Sequence, residues 1–250
     1  METEGRPRPA FYALAADGGW RDLITVLHPP YTLWHVSNVA IGAAIAPHIY
    51  ADRLLAAIAA FFLAVGIGAH AMDELHGRPL GTRLSRRALI GLSAVGLGGA
   101  LAIGVAGVFI VSLTLIPLIL AGGFIAPAYN LEWFGGRFHT DFWLAVSWAG
   151  FSCFTGWWVN ALGIHSLKEA VAIAAAVLAC IFLVTAQRRL STPVRELRRR
   201  TVAVEGEQRL ADGTVRRLSR DALSAPLDGA LKALSVAVPL LAVALLAIRA

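Results

Sequence analysis

Asp73 and Glu74, with His70 three and four residues ahead of them, are the residues whose types and spacing point most directly to chemistry. On a helix His70, Asp73, Glu74 and Gly77 fall at i, i+3, i+4 and i+7, so two acids and an imidazole share one face. A carboxylate pair is a hard oxygen cluster of the kind Mg²⁺ prefers while keeping several of its own waters. Magnesium bridges phosphate oxygens and neutralises a departing diphosphate, so carboxylates beside a cationic loop suit diphosphate ionisation. Arg78, Arg83, Arg86 and Arg87 follow at once and supply that cationic surface, with guanidinium planes that match phosphate bidentately. The plainer reading is that the two acids form salt bridges with these arginines at a membrane surface. A zinc site from His70, Asp73, Glu74 and His76 is a weaker alternative, because His76 points off the shared face and no complete HExxH helix is present.

What must position this cluster is a membrane helix. Of the 250 residues 57% are hydrophobic and only 15% charged, and the mean hydropathy is +0.66, against about a quarter charged in ordinary soluble domains. Seven apolar runs, at 31–49, 52–72, 87–105, 107–128, 141–163, 167–187 and 229–249, each approach the roughly 20 residues that cross about 30 Å of hydrocarbon. The expected fold class is therefore all-α, a polytopic bundle of about seven transmembrane helices. Its parts are an N-terminal segment 1–28, a six-helix core 29–187, an arginine-rich segment 188–228 and a C-terminal helix 229–250. The cluster at 70–74 closes the second run, where ionisable groups persist mainly when they face a cavity, a partner or a metal.

The net charge of +6 reads as topology rather than nucleic-acid binding. With the N-terminus inside, 19 of the 22 basic residues, Arg6 among them, fall on the cytoplasmic side and only Arg53, Lys168 and Arg249 outside. That predicts an integral protein of the cytoplasmic membrane, N-terminus in and C-terminus out. The N-terminal stretch has no apolar core of a cleavable signal peptide, so insertion is expected to rely on the first spanning helix. Cys153 and Cys180 lie within apolar runs and read as small buried hydrophobes. In 188–228, VAVEGEQRLADGTVRRL reads as a hairpin about Asp212-Gly213 with a type I′ turn. Its arginines read as a topology signal and headgroup contact, or more sharply as diphosphate ligands.

The run HAMDELHGRPLGTRLS resembles the phrase that ends helix 2 in the UbiA superfamily of intramembrane prenyltransferases, an acidic NDxxDxxxD-like motif followed by NRPLxxGxIS. Arg78, Pro79, Leu80 and Ser85 are in register and Asp73 matches the second acid. His70 stands at the first acid and Gly77 at the third. HPPYTLWHVSNVAIGAAIAP resembles the family's first helix, APAYNLEWFGGRFHTDFW the loop after helix 4 with Tyr129 at a tyrosine position, and RRRTVAV the phrase after the second acidic motif. Counting back from Thr201 places Leu190 and Val194 where that motif has aspartates, so the chain resembles a divergent member, with nine helices in the family against seven here.

The resemblance implies transfer of an isoprenyl group from an allylic diphosphate to an acceptor with Mg²⁺. Asp73 and Glu74 would hold the metal, with His70 as third ligand or orienting group, and Arg78, Arg83, Asn38, Tyr129, Arg199 and Arg200 would contact substrate. Cyclisation or hydrolysis of an isoprenoid diphosphate, and a non-catalytic protein that kept the fold, are the alternatives. The remaining polar and aromatic residues carry plainer expectations. His35 and Asn38 read as a polar pair gluing two helices, and His48, Tyr50, Trp133 and His165 as interfacial anchors. Trp143, Trp148, Trp157 and Trp158 read as packing, or as π faces against an isoprenoid or its cation. Pro117, Gly122, Gly123 and Pro127 loosen the fourth helix, to admit a lipid tail or let neighbours pack.

Overall fold

The computed structural model describes residues 8–14 and 18–249, so Arg6 of the charge count lies outside the described residues. A short surface helix α1 (Trp20–Val26) leads to α2 (Pro29–Ala44), whose two leading prolines occupy the positions where a missing N–H costs nothing. There follow α3 (Ala51–Leu75), α4 (Arg86–Ile110), α5 (Leu113–Asn130), α6 (141–161), α7 (Leu167–Arg199) and α8 (Arg220–Arg249). Side-chain caps fix four of the starts: Ser85, Thr140, Ser166 and Ser219 accept from the backbone N–H of Ala88, Trp143, Glu169 and Ala222.

Among the described residues, α3, α4, α5, α7 and α8 are long and apolar enough to cross a membrane. Their outward faces expose Val95, Phe109, Leu120, Phe182 and Leu240, an apolar exterior that suits lipid. The chain is an all-α helical bundle and an integral membrane protein. α2 and α6 form its centre, where Trp34, Ile41, Cys153, Trp157, Cys180 and Val184 share one buried cluster. Both cysteines are free and buried, as small hydrophobes would be.

Two glycine contacts set the helix spacing. A Cβ on Gly42 would stand 1.8 Å from the Cys153 carbonyl oxygen, and one on Gly156 2.0 Å from that of Val39, so α2 and α6 touch backbone to backbone. Gly68 and Gly96 make the same approach between α3 and α4.

Two boundaries differ from the sequence expectation. α7 does not stop at 187 but continues through Pro193 to Arg199, and α8 begins at Arg220 rather than 229. The arginine-rich segment is thus mostly helix, and only about twenty residues between the helices remain for the hairpin β1 (Glu207–Arg209) and β2 (Val215–Arg217). The hairpin turn is also different. The Gly213 N–H donates to Leu210 O, Leu210 N–H to Thr214 O, and Gly213 alone of the turn has positive φ, at 84°. That is a longer loop with glycine at the bulge position instead of a two-residue type I′ turn. Thr214 N–H donates to Asp212 Oδ1 at 2.8 Å, and these hydrogen bonds hold the exposed Asp212 carboxyl below its usual range.

Two stretches of wider, π-type helix interrupt the membrane helices, Phe62–Ala69 in α3 and Val146–Gly150 in α6. Such segments rotate the residues that follow and recur at functional sites. Here the first delivers His70 and Asp73, and the second presents Trp148.

Candidate functional site

One end of the bundle holds a polar cavity of about 330 Å³, walled by α2, the end of α3, α5, the loop 131–140, α7 and the start of α8. Residues Pro9 to Tyr12 form its lid: Arg198 and Arg199 donate to the carbonyls of Arg8 and Pro9, and Phe11 and Tyr12 stack edge-on against Tyr31. The connections 76–85 and 131–140 and the end of α7 all come to this end, with Arg53 and Arg249 bonded at the other, to the carbonyls of Val159, Ala46 and Pro47.

Asp73 and Glu74, neighbours on one turn, part company. Successive helix residues are about 100° apart, and that angle separates their fates. Asp73 lines the cavity, sharing it with His139, Arg195 and Arg199, and among the described residues it makes no hydrogen bond or ion pair. Glu74 is fully buried and faces the loop that follows. Its Oε2 accepts from Leu80 N–H at 3.0 Å, and its Oε1 from Thr82 N–H and Thr82 Oγ1, both at 2.8 Å. This carboxylate is the anchor around which Arg78-Pro79-Leu80-Gly81-Thr82 folds, not an open ligand.

His70 lines the cavity but is packed: its ring lies 4.0 Å from that of His28, and Nδ1 is 3.5 Å from Thr32 Oγ1. His28 itself adopts a left-handed backbone, φ 46°, a conformation that non-glycine residues take mainly where the surroundings enforce it. That backbone turns its ring into the cavity wall, where Nε2 is buried without a partner. Burial, reinforced by His70 and the nearby arginines, pushes its imidazole well below the usual value.

The substrate-contact residues expected from sequence divide. Tyr129 lines the cavity, stacked 4.5 Å from His139 and 4.8 Å from Trp148, and Arg199 lines it at the mouth. Arg78, Arg83, Arg200 and Asn38 do not. Arg78 donates to Thr82 O and Leu84 O, both at 2.9 Å, and holds its own loop; Arg83 and Arg200 are exposed. Asn38 is buried and donates to Trp148 O at 3.5 Å, the helix-gluing role. His35 joins it, with Nδ1 3.0 Å from the same carbonyl, but also lines the cavity.

Apart from Arg199, sequence reasoning missed the α7 wall. Val184, Gln187, Arg188, Ser191, Val194 and Arg195 line the cavity beside it. The signal was present as a helical stripe: arginines at i, i+7 and i+11 lie within about 20° of one line on an α-helix. It was obscured by charge, which reads as loop, and by Pro193. His139 was missed as well. Its Nδ1 lies 3.0 Å from Tyr129 O, and because a carbonyl only accepts, Nδ1 carries the proton of that hydrogen bond.

On the far side of Trp148 runs a second, almost wholly apolar cleft of about 170 Å³ between α3, α4, α5 and α6. Trp148 lines both spaces and stands between them. Gly104, Gly107, Gly122 and Gly123 line the cleft, which runs towards Val111 and Val159.

The magnesium donor set of Asp73, Glu74 and His70 does not converge, because Glu74 is saturated by the loop and His70 is stacked on His28. Among the described residues no three His, Cys, Asp or Glu side chains stand together as metal ligands. No family model, no curated protein and no solved structure matches the chain.

Proposed function

We propose that the protein is a UbiA-like membrane enzyme of seven helices that binds an isoprenyl diphosphate and transfers its isoprenyl group to an acceptor. The observation that carries this reading is the pair of spaces that share Trp148 in their walls, one polar and cationic, the other apolar. An amphiphile with a compact anionic head and an apolar tail fits that division, and a hydrocarbon chain or a soluble phosphate fits only half of it. The cavity end is cytoplasmic in this reading, because 19 of the 22 basic residues fall on that side of the charge count, which places the N-terminus in and the C-terminus out.

In the transfer, the bond between the allylic carbon and the diphosphate oxygen breaks and its electron pair leaves on the diphosphate. The π faces of Tyr129 and Trp148 lie beside the space where the allylic cation forms. The acceptor's nucleophilic atom bonds to that carbon, and its proton passes to Asp73, the carboxylate left without a hydrogen-bond or ion-pair partner among the described residues. Tyr129 and Asp73 keep the roles of substrate contact and catalytic group; Glu74 and Arg78 become loop anchors. The residues around Asp73 do not fit the expected magnesium cluster.

A second reading, an isoprenoid diphosphate carrier without transfer, is favoured by Leu190 and Val194 at the positions of the missing acids, with Val194 buried in the cavity wall. Purified protein incubated with a C15 or C20 allylic diphosphate and a broad acceptor panel separates the two. Transfer predicts pyrophosphate release and a prenylated product by mass spectrometry, both lost in Asp73→Asn. Retained ligand with no release supports the carrier, and neither binding nor release refutes both.

A further inference from the structure

We propose that the diphosphate head is gripped directly by guanidinium groups of α7, Arg195 and Arg199 with Arg188 beyond them, rather than through a magnesium cluster. The inference rests on the diphosphate reading above and concerns how that head is held.

The geometry of α7 sets the clamp. Residues 188, 195 and 199 lie on one stripe of a continuous helix and all line the cavity, so three cations stand along one wall over about 16 Å. Among the described residues each guanidinium makes one hydrogen bond to protein: Arg188 Nε to Asp141, Arg195 Nη2 to Thr192 Oγ1, and Arg199 Nε to Pro9 O. A guanidinium has five N–H donors in a planar fork, so most of the donors on this wall are left for a ligand. Arg188 is compensated by its ion pair with Asp141, whereas Arg195 and Arg199 have no carboxylate in ion-pair contact among the described residues, so their like charges repel and a multiply charged anion relieves that repulsion.

The opposite side of the account is a shortage of anionic ligands. Of the carboxylates lining the cavity, Glu132 is paired with His76 at 3.6 Å and Asp228 with Arg198, which leaves Asp73 alone. A metal–diphosphate cluster built on acids would need partners on α7, and the cavity-facing residues there are arginine, glutamine, serine and valine. The neutral donors also suit an anion. Tyr12 sits in the lid, and burial pushes its phenol well above the ordinary value, so the hydroxyl keeps its proton to donate.

Farnesyl diphosphate and inorganic pyrophosphate are the probes, titrated into the purified full-length protein in lipid nanodiscs with either excess EDTA or millimolar Mg²⁺. The clamp predicts binding of farnesyl diphosphate in EDTA within about threefold of that with Mg²⁺. It predicts a loss of about tenfold or more in Arg195→Gln and in Arg199→Gln, the scale of one charge-assisted contact to a phosphate. Asp73→Asn should bind as well as wild type or better, since a negative charge beside the anion has gone. Binding that requires Mg²⁺ and is lost in Asp73→Asn overturns the clamp and leaves the diphosphate reading standing. No binding of either probe under either condition overturns both. The comparison of EDTA with Mg²⁺ uses unmutated protein, so it decides the matter even where an arginine variant misfolds.

Discussion

Replacing Glu74 by glutamine should weaken the fold, while replacing its neighbour Asp73 by asparagine should not. Glu74 is 0% exposed and accepts three hydrogen bonds, two from backbone N–H groups and one from the Thr82 hydroxyl. A glutamine carbonyl can keep the two bonds now made by Oε1, but its NH₂ then faces the Leu80 N–H, donor against donor. Leaving one buried donor unpaired costs about 1–3 kcal/mol, and the remaining two bonds lose their charge assistance. A total of about 2–4 kcal/mol follows, or a melting shift of about 5–15 °C for a chain of this size. Among the described residues Asp73 makes no hydrogen bond to lose, so Asp73→Asn should move the melting temperature by less than about 3 °C. Tryptophan fluorescence melts of the detergent-solubilised protein read both. If Glu74→Gln melted like wild type and Asp73→Asn were strongly destabilised, the assignment of one acid to the loop and the other to the cavity would be wrong.

Two further outcomes test the packing and the cavity wall. Gly42→Leu should prevent α2 from seating on α6, because even its Cβ would lie 1.8 Å from the Cys153 carbonyl oxygen, where no side chain can move aside; aggregation in size-exclusion chromatography reads the loss. His28 is held neutral by burial, below the unfolded value of about 6.5, so its contribution is complete above that pH and is lost as pH falls beneath it. Stability should therefore drop between pH 6.5 and 5.5, by at most about 1.4 kcal/mol from this group, and the slope should flatten in His28→Asn, since asparagine tolerates the left-handed backbone at this position.

The membrane bundle was legible from composition and run length, because hydrocarbon thickness demands long apolar segments and leaves little choice of element. The site was legible in part. The apolar run ending in ionisable residues pointed to Asp73, and the same pattern assigned Glu74 the same role, since neighbouring acids at a helix end look equivalent until the following loop shows which way each faces. Arg78 was attractive as a phosphate ligand on chemistry alone, yet its guanidinium closes the loop on Thr82 and Leu84. Arg188 and Arg195 were hidden by the convention that charge marks loops; in this helix the charged turns continue a membrane helix along a polar cavity. The π-type segments at 62–69 and 146–150 had no compositional mark, because they add a residue to a turn without changing residue type. His139 depended on a loop of positive-φ residues, Glu132, Phe134, Gly135 and Gly136, that folds it back onto Tyr129, a contact ten residues long that no periodicity encodes.

The central claim is that one amphiphile occupies both spaces, its head in the cationic cavity and its tail past Trp148. Photolabelling with a farnesyl diphosphate analogue carrying a diazirine at the far end of its chain tests it most directly. The account predicts adducts on cleft residues such as Leu101, Ile119 and Phe151, suppressed by excess unlabelled farnesyl diphosphate. Adducts confined to lipid-facing residues such as Phe109, Leu178 and Phe182, with no competition, would contradict it.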